Sequence, residues 1–248
     1  MAVDLGDLVL LPSRMIYIKS IRALLFADSH IGLEYAMAEA GTFVPPIQYN
    51  LMRTRLLNAV REYRPKRIII VGDLKHMFSQ RTLQEHKEVL DMLKTLHSFG
   101  VEVFLVRGNH DNFIRGILEK HGVSFVPCIR MGEYLFIHGH ASVPPDVGAS
   151  ARRIIMGHLH PTITLSDSIS RARLPAFLVG ERICILPAFT PLLPGLDIVS
   201  GITEDDYSTP IVDDFSNFEV FVIIDDRRVL KFGSVRNLIR LRESAFSP

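Results

Sequence analysis

Cysteine is nearly absent from this chain. Only Cys128 and Cys184 occur in 248 residues, in neither a paired nor a metal-type spacing. That argues against a disulfide-stapled secreted scaffold and against a thiolate metal cluster, and makes a reducing cytoplasm the expected setting. Long apolar runs are absent as well: no stretch reaches the roughly 18 uninterrupted residues of a membrane helix, so no membrane association is expected. The opening Met1 to Asp7 lacks the basic region of a secretory signal. An excess of one charge is also missing. The formal net charge is +1, far from the basic footprint of a dedicated nucleic-acid binder. Local clusters do exist: Arg53, Arg55, Arg61, Arg64, Lys66 and Arg67, then Arg171 with Arg173, then Arg227 with Arg228. They read as solvated faces or turns that could guide a phosphate-bearing substrate. No repeat, low-complexity segment or linker divides the sequence. With 48% hydrophobic residues, residues 1–248 read as one domain with ample material for a core.

What the chain does have is a repeated strand ending. Five short apolar runs, built like buried strands, each stop at a metal-binding side chain. Ala23 to Ala27 precedes Asp28-Ser29-His30, and Ile68 to Val71 precedes Gly72-Asp73. Val101 to Val106 leads to Gly108-Asn109-His110-Asp111, Tyr134 to Ile137 to His138-Gly139-His140, and Ile154 to Met156 to Gly157-His158-Leu159-His160. In open α/β sheets, chemistry gathers beyond the carboxyl ends of the strands, so these side chains would converge.

Between the runs, apolar spacing predicts helices over Ile47 to Tyr63, from a Ser79 cap to Gly100, and over Phe113 to Lys120. Gly32 to Pro46 reads as a loop over the site. Short strands are expected at Leu8 to Leu11 and Met15 to Ile18. After His160 the sequence turns strand-rich, at Thr162 to Leu165, Ala176 to Val179, Ile183 to Leu186 and Val220 to Ile224. Pro187 to Pro194 and Glu204-Asp205-Asp206 read as loops. Parallel βαβ units followed by antiparallel strands suit two sheets packed face to face with helices outside.

Asp28, His30, Asp73, Asn109, His138, His158 and His160 offer nitrogen and oxygen donors without a thiolate. Such a set suits manganese, iron, nickel or zinc, and argues against calcium or magnesium alone. It is too large for one four-coordinate ion. A pair of ions about 3.5–4 Å apart, with Asp73 bridging, can clamp both oxygens of an in-line phosphoryl displacement.

In their order and position, Asp28-x-His30, Gly72-Asp73, Gly108-Asn109-His110-Asp111, His138-Gly139 and Gly157-His158-x-His160 resemble the calcineurin-like metallophosphoesterase superfamily. The flanks narrow this. His30 to Glu34, Gly72 to His76, Gly157 to Pro161 and Leu186 to Thr190 resemble small phosphoesterases of archaea and of bacterial DNA-ligase gene neighbourhoods, a branch related to double-strand-break repair nucleases.

The resemblance implies an α/β fold, a four-layer α/β/β/α sandwich of two mixed sheets. Asp28, His30, Asp73 and His160 would hold a first metal, and Asp73, Asn109, His138 and His158 a second. It further implies a hydroxide between the ions as nucleophile and His110 as general acid or transition-state donor, a task that suits an imidazole near neutral pH. Asp111 could fix the His110 tautomer, or cap a helix before Phe113. His76 stands where many relatives carry an acidic residue, and reads as a supporting histidine rather than a ligand. His140 could contact substrate phosphate or hydrogen-bond a loop. His86, His97 and His121 read as surface or packing residues.

The expected activity is phosphodiester hydrolysis with two divalent transition ions, manganese foremost and iron, nickel or zinc as alternatives. Other readings are a phosphomonoesterase, a DNA or RNA nuclease acting in repair, and a non-catalytic scaffold, which the filled donor set disfavours. Repair nucleases add a capping domain for which the sequence up to Pro248 has no room, so a partner or a homodimer would have to build the groove. Specificity is expected in Leu33 to Gln48, Ala141 to Gly148 and Pro187 to Gly195.

Overall fold

Every strand that leads to the site carries apolar residues on both faces, and the computed structural model shows why. It describes residues 1–78, 82–143, 147–148, 150–166, 170–200 and 209–246. A seven-stranded sheet runs β1 (Val3–Leu5), β2 (Leu8–Leu11), β3 (Met15–Ile18), β4 (Ala23–Phe26), β5 (Arg67–Ile70), β6 (Glu102–Val106) and β7 (Ser124–Val126), in sequence order. Its first strands pair antiparallel, and β4 to β7 pair parallel.

The nine-stranded second sheet contains β8 (Cys128–Met131), β9 (Tyr134–Ile137), β10 (Arg153–Met156), β11 (Pro161–Ser166), β12 (Arg171–Val179), β13 (Ile183–Ile185), β14 (Leu196–Asp197), β15 (Glu219–Ile224) and β16 (Arg228–Ser234). Here β9, β10 and β13 are parallel, and the hairpins β8–β9, β11–β12 and β15–β16 are antiparallel.

Three apolar layers separate four structural ones. Leu24, Phe26, Ile68 and Ile70 face α2 (Gln48–Tyr63), α3 (Leu83–Ser98) and α4 (Arg115–Lys120). Their strand neighbours Leu25, Ile69 and Val71 point the other way, onto Phe136, Ile155 and Leu186 of the second sheet. Leu135, Ile137 and Met156 form the third layer, against which Leu238 and Ile239 of α5 (Val235–Phe246) pack. Side chains alternate across a strand, so a strand with covered faces on both sides reads as a continuous apolar run. Burying each Leu, Ile or Phe contributes about 1.5–3 kcal/mol.

The structure corrects three local expectations. The loop over Gly32 to Pro46 contains a short helix, α1 (Leu33–Glu39). The second helix is capped by Thr82, whose hydroxyl accepts from Glu85 N while the Glu85 carboxylate accepts from Thr82 N, a reciprocal capping box. The expected cap, Ser79, lies outside the described residues, as does Glu204-Asp205-Asp206. The third helix starts at Arg115, because Phe113 has φ 61 and cannot continue a right-handed helix.

Candidate metal centre

The turns after β4, β5, β9 and β10 meet at the seam between the two sheets. Asp28 N donates to Gly72 O at 3.0 Å, and Gly157 N donates to His138 O at 3.1 Å. His138 crosses the seam, its Nδ1 donating to Val71 O at 3.0 Å. Five donor-bearing residues have left-handed backbone: Asp28 (φ 56), His30 (φ 43), Asp73 (φ 51), His158 (φ 70) and His160 (φ 46). Asp and His tolerate this region better than most residues, and strain concentrated at one spot marks a functional turn.

His30, His76 and His110 bring ligand atoms within 4.8 Å of one another, and two further groups of donors centre on Asp28 and Asp73. In the first, Asp28, His30 and His160 bring ligand atoms within 4.8 Å of one another. His160 Nε2 lies 3.2 Å from Asp28 Oδ1. His30 Nε2 is buried with no hydrogen-bond partner among the described residues, and sits 3.8 Å from Asp73 Oδ2. In the second, His138 Nε2 faces Asp73 Oδ2 at 3.2 Å and Asn109 Oδ1 at 3.1 Å. Asp73 therefore stands between the groups.

The second group is a direct test of whether these residues fit a cation. With its Nδ1 proton committed to Val71, neutral His138 turns a lone pair on Nε2 toward two oxygen acceptors. Three converging lone pairs require a positive charge. A proton on His138 can supply it: burial disfavours the charged ring, but Asp73 outweighs burial and pushes its pKa up to about 9. A metal ion supplies the same charge and uses all three donors. Burial also raises the Asp73 carboxyl, yet His138, then His30 and His110, hold it well below the usual range. The donors fit a divalent cation.

Close approach depends on missing side chains. A Cβ at Gly108 would overlap Asp73 Oδ1, and one at Gly72 would overlap the His138 ring. His158 enters by two routes: its N–H donates to Asp28 Oδ2 at 3.0 Å, and its ring centroid lies 5.1 Å from that of His138. Its pKa is pushed down to about 4 by burial, then by His138.

His110 borders both groups. Its N–H donates to Asp73 Oδ1 at 2.9 Å, and its ring packs edge-on to His30 at 4.9 Å. Its Nδ1 donates to His76 O, which leaves Nε2 as the ring nitrogen outside that bond. The expectation that Asp111 sets this tautomer is thereby corrected, and so is the alternative of a helix cap. Asp111 accepts from Gly108 N, Asp73 N and Leu74 N, each at 2.9 Å; it ties the turn of His110 to the turn of Asp73. His76 supports: its Nδ1 lies 3.3 Å from His30 Nδ1. His140 is exposed at the mouth, 5.3 Å from the His138 ring, where it lines a cavity of 170 Å³ with Arg107.

Sequence reasoning missed the buried polar support behind the first group. Gln48 Nε2 contacts Ser29 O at 3.0 Å, His30 O at 3.2 Å and Thr190 Oγ1 at 2.6 Å. Glu34 accepts Gln48 N at the start of α2. The available signals were Glu34 and Thr190, the last residues of the His30 to Glu34 and Leu186 to Thr190 blocks.

A model of the calcineurin-like phosphoesterase family matches residues 21–177, and the chain belongs to that family. It is a metal-dependent phosphoesterase. Among solved structures it is similar to nuclease MPE from Pseudomonas putida, at 26% identity and a TM-score of 0.65, over 94% of this chain and 99% of that one. It is more distantly similar to Yfce, a phosphoesterase from E. coli, at 14% identity and a TM-score of 0.39, over 86% and 98% of the chains. No curated protein sequence matches. Among the described residues, no helix is long and apolar enough to cross a membrane.

Proposed function

We propose that this chain, acting as one domain over residues 1–248, hydrolyses phosphodiesters with two divalent transition ions. Asp28, His30, Asp73 and His160 would hold one ion, and Asp73, Asn109, His138 and His158 the other. The observation that carries this reading is the convergence of His138 Nε2, Asp73 Oδ2 and Asn109 Oδ1 within 3.2 Å of the histidine nitrogen. The mixed nitrogen and oxygen set favours manganese, with iron, nickel or zinc as alternatives. Bound ions supply Lewis acidity toward the phosphoryl oxygens and lower the pKa of water.

The protein's own part is positioning and proton control. His110 Nδ1 donates to the His76 carbonyl, so Nε2 is the ring nitrogen left to act, and the doubly protonated ring would give its Nε2 proton to the leaving oxygen. The His110 main-chain N–H meanwhile fixes one oxygen of Asp73, coupling the donor ring to the carboxylate between the two groups.

A second reading, nuclease, is favoured over phosphomonoesterase by the likeness to nuclease MPE across nearly all of both chains. An aryl phosphodiester assay with manganese tests the catalytic proposal. Hydrolysis that chelation abolishes and manganese restores is expected. Chelator-resistant activity, or none with any of the four metals, overturns it.

A further inference from the structure

Two hairpin tips, one from each sheet, meet at the segment that follows β13. Arg14 ends the β2–β3 turn with φ 65, its N donating to Leu11 O at 3.1 Å. Asp226 stands in the β15–β16 turn with φ 51. Asp takes left-handed backbone more readily than a long side chain does, and glycine is the usual residue at Arg14's place in such a turn. The contacts of the Arg14 side chain account for an arginine there. Its Nη1 donates to Thr190 O at 2.6 Å and to Ala188 O at 3.3 Å. Arg55 of α2 donates from Nη1 to Phe189 O at 3.5 Å. Three consecutive carbonyls thus accept from two guanidinium groups.

Asp226 holds both cations. Its Oδ2 accepts from Arg55 Nη2, and its Oδ1 lies 3.5 Å from Arg14 Nε. Arg55 belongs to a basic cluster in the sequence, yet only 16% of its side chain is exposed, and 12% of Arg14's. Both are contacts rather than solvated faces. Two cations that share one carboxylate also repel each other: burial first, then Arg55, pulls the Arg14 pKa down to about 10, with Asp226 opposing. Without Asp226 the pair would lack its counter-charge.

The gripped segment backs the metal centre. Phe189 N donates to Ala27 O at 2.9 Å, and Thr190 N donates to Asp28 O at 3.2 Å. The peptide groups on either side of Phe189 are therefore bonded at both ends, to an arginine through the carbonyl and to the Asp28 turn through the N–H. Hydrogen bonds in series polarise and strengthen one another. We propose that Asp226 is a positioning residue of the metal centre: it holds Arg14 and Arg55 on the Ala188, Phe189 and Thr190 carbonyls, and that grip fixes the turn presenting Asp28. This inference rests on the reading that Asp28 holds an ion.

Asp226→Asn is the variant to measure, because Asn tolerates left-handed backbone as Asp does and keeps one acceptor oxygen while losing the charge. In the metal-free chain, amide hydrogen exchange at Phe189 and Thr190 should quicken about tenfold, with Phe136 of β9 unchanged. Calorimetric titration with manganese should show the ion of the Asp28 group binding about tenfold more weakly, and the other ion losing less. The step that disappears in Asp28→Asn identifies that ion. Arg14→Lys keeps the charge but cannot fork between two carbonyls, and should repeat both effects. Unchanged exchange at Phe189 and Thr190 overturns the proposal. So does a lowered Tm with both manganese affinities intact, the mark of a purely structural ion pair, or equal weakening of both ions. Failure of the underlying reading looks different: Asp28→Asn would then bind both ions as the wild type does, and the exchange result alone would judge the grip.

Discussion

Gln48 and Thr190, 142 positions apart in the chain, meet side chain to side chain at 2.6 Å. The same Gln48 nitrogen reaches the carbonyls of Ser29 and His30, and Thr190 N donates to Asp28 O at 3.2 Å. The pair thus clamps the turn whose Asp28 and His30 are both left-handed. Each buried carbonyl stripped of its donor costs about 1–3 kcal/mol. Gln48→Leu is accordingly expected to lower stability by about 2–3 kcal/mol. It should also weaken metal binding by roughly 10–100-fold, as loss of outer support does at other metal sites. Calorimetric titration of the metal-free variant with manganese reads this directly, and wild-type affinity would refute the clamp.

His110 lies outside both proposed donor groups, with Nδ1 bonded to His76 O. His110→Ala should keep two ions per chain and fold normally, while kcat falls about 10²–10⁴-fold, the range of general acid–base catalysis. The loss should be greatest for poor leaving groups. Metal analysis beside a leaving-group series decides the matter; loss of metal together with activity would remove His110 from the proton-donor role.

Asp111 should behave differently. Its carboxylate takes three main-chain N–H groups from two turns, and Asp111→Ala leaves those donors without an acceptor. A destabilisation of about 3 kcal/mol or more is expected, with Asp111→Asn, which keeps one acceptor oxygen, falling between. Denaturant unfolding checks it. A fully stable but inactive Asp111→Ala would restore a direct catalytic role.

The metal-free chain should lose stability in alkali. His138 is pushed up to about 9 in the fold, burial opposing and Asp73 prevailing, whereas an unfolded histidine titrates near 6.5. A raised folded pKa gives stability that is complete below about 6.5 and is lost as pH rises through about 9. Thermal unfolding of chelator-treated protein between those limits should therefore show a falling Tm. His138→Asn should flatten the slope. An unchanged slope in that variant would assign the effect to another group.

Much of this was legible before any coordinates. Strands with two buried faces announce themselves as unbroken apolar runs, and an Asp, Asn or His at the end of each marks where the sheets must open. The support was not legible. Gln48 sits in a helical stripe and looks like any amphipathic helix start; its partners are main-chain carbonyls and a hydroxyl brought near only by folding. Asp111 followed His110 so closely that a contact between neighbours was the natural expectation. The turn instead sends the carboxylate inward to amides of another strand end. Phe113 carried the helical pattern in sequence but not in space, since a left-handed residue interrupts it.

The central claim is that Asp73 stands between two cations. Anomalous diffraction from manganese-soaked crystals tests it most directly. Two peaks about 3.5–4 Å apart are predicted, one among Asp28, His30 and His160, the other among Asn109, His138 and His158, with Asp73 touching both. A single peak, or peaks remote from Asp73, would contradict the account.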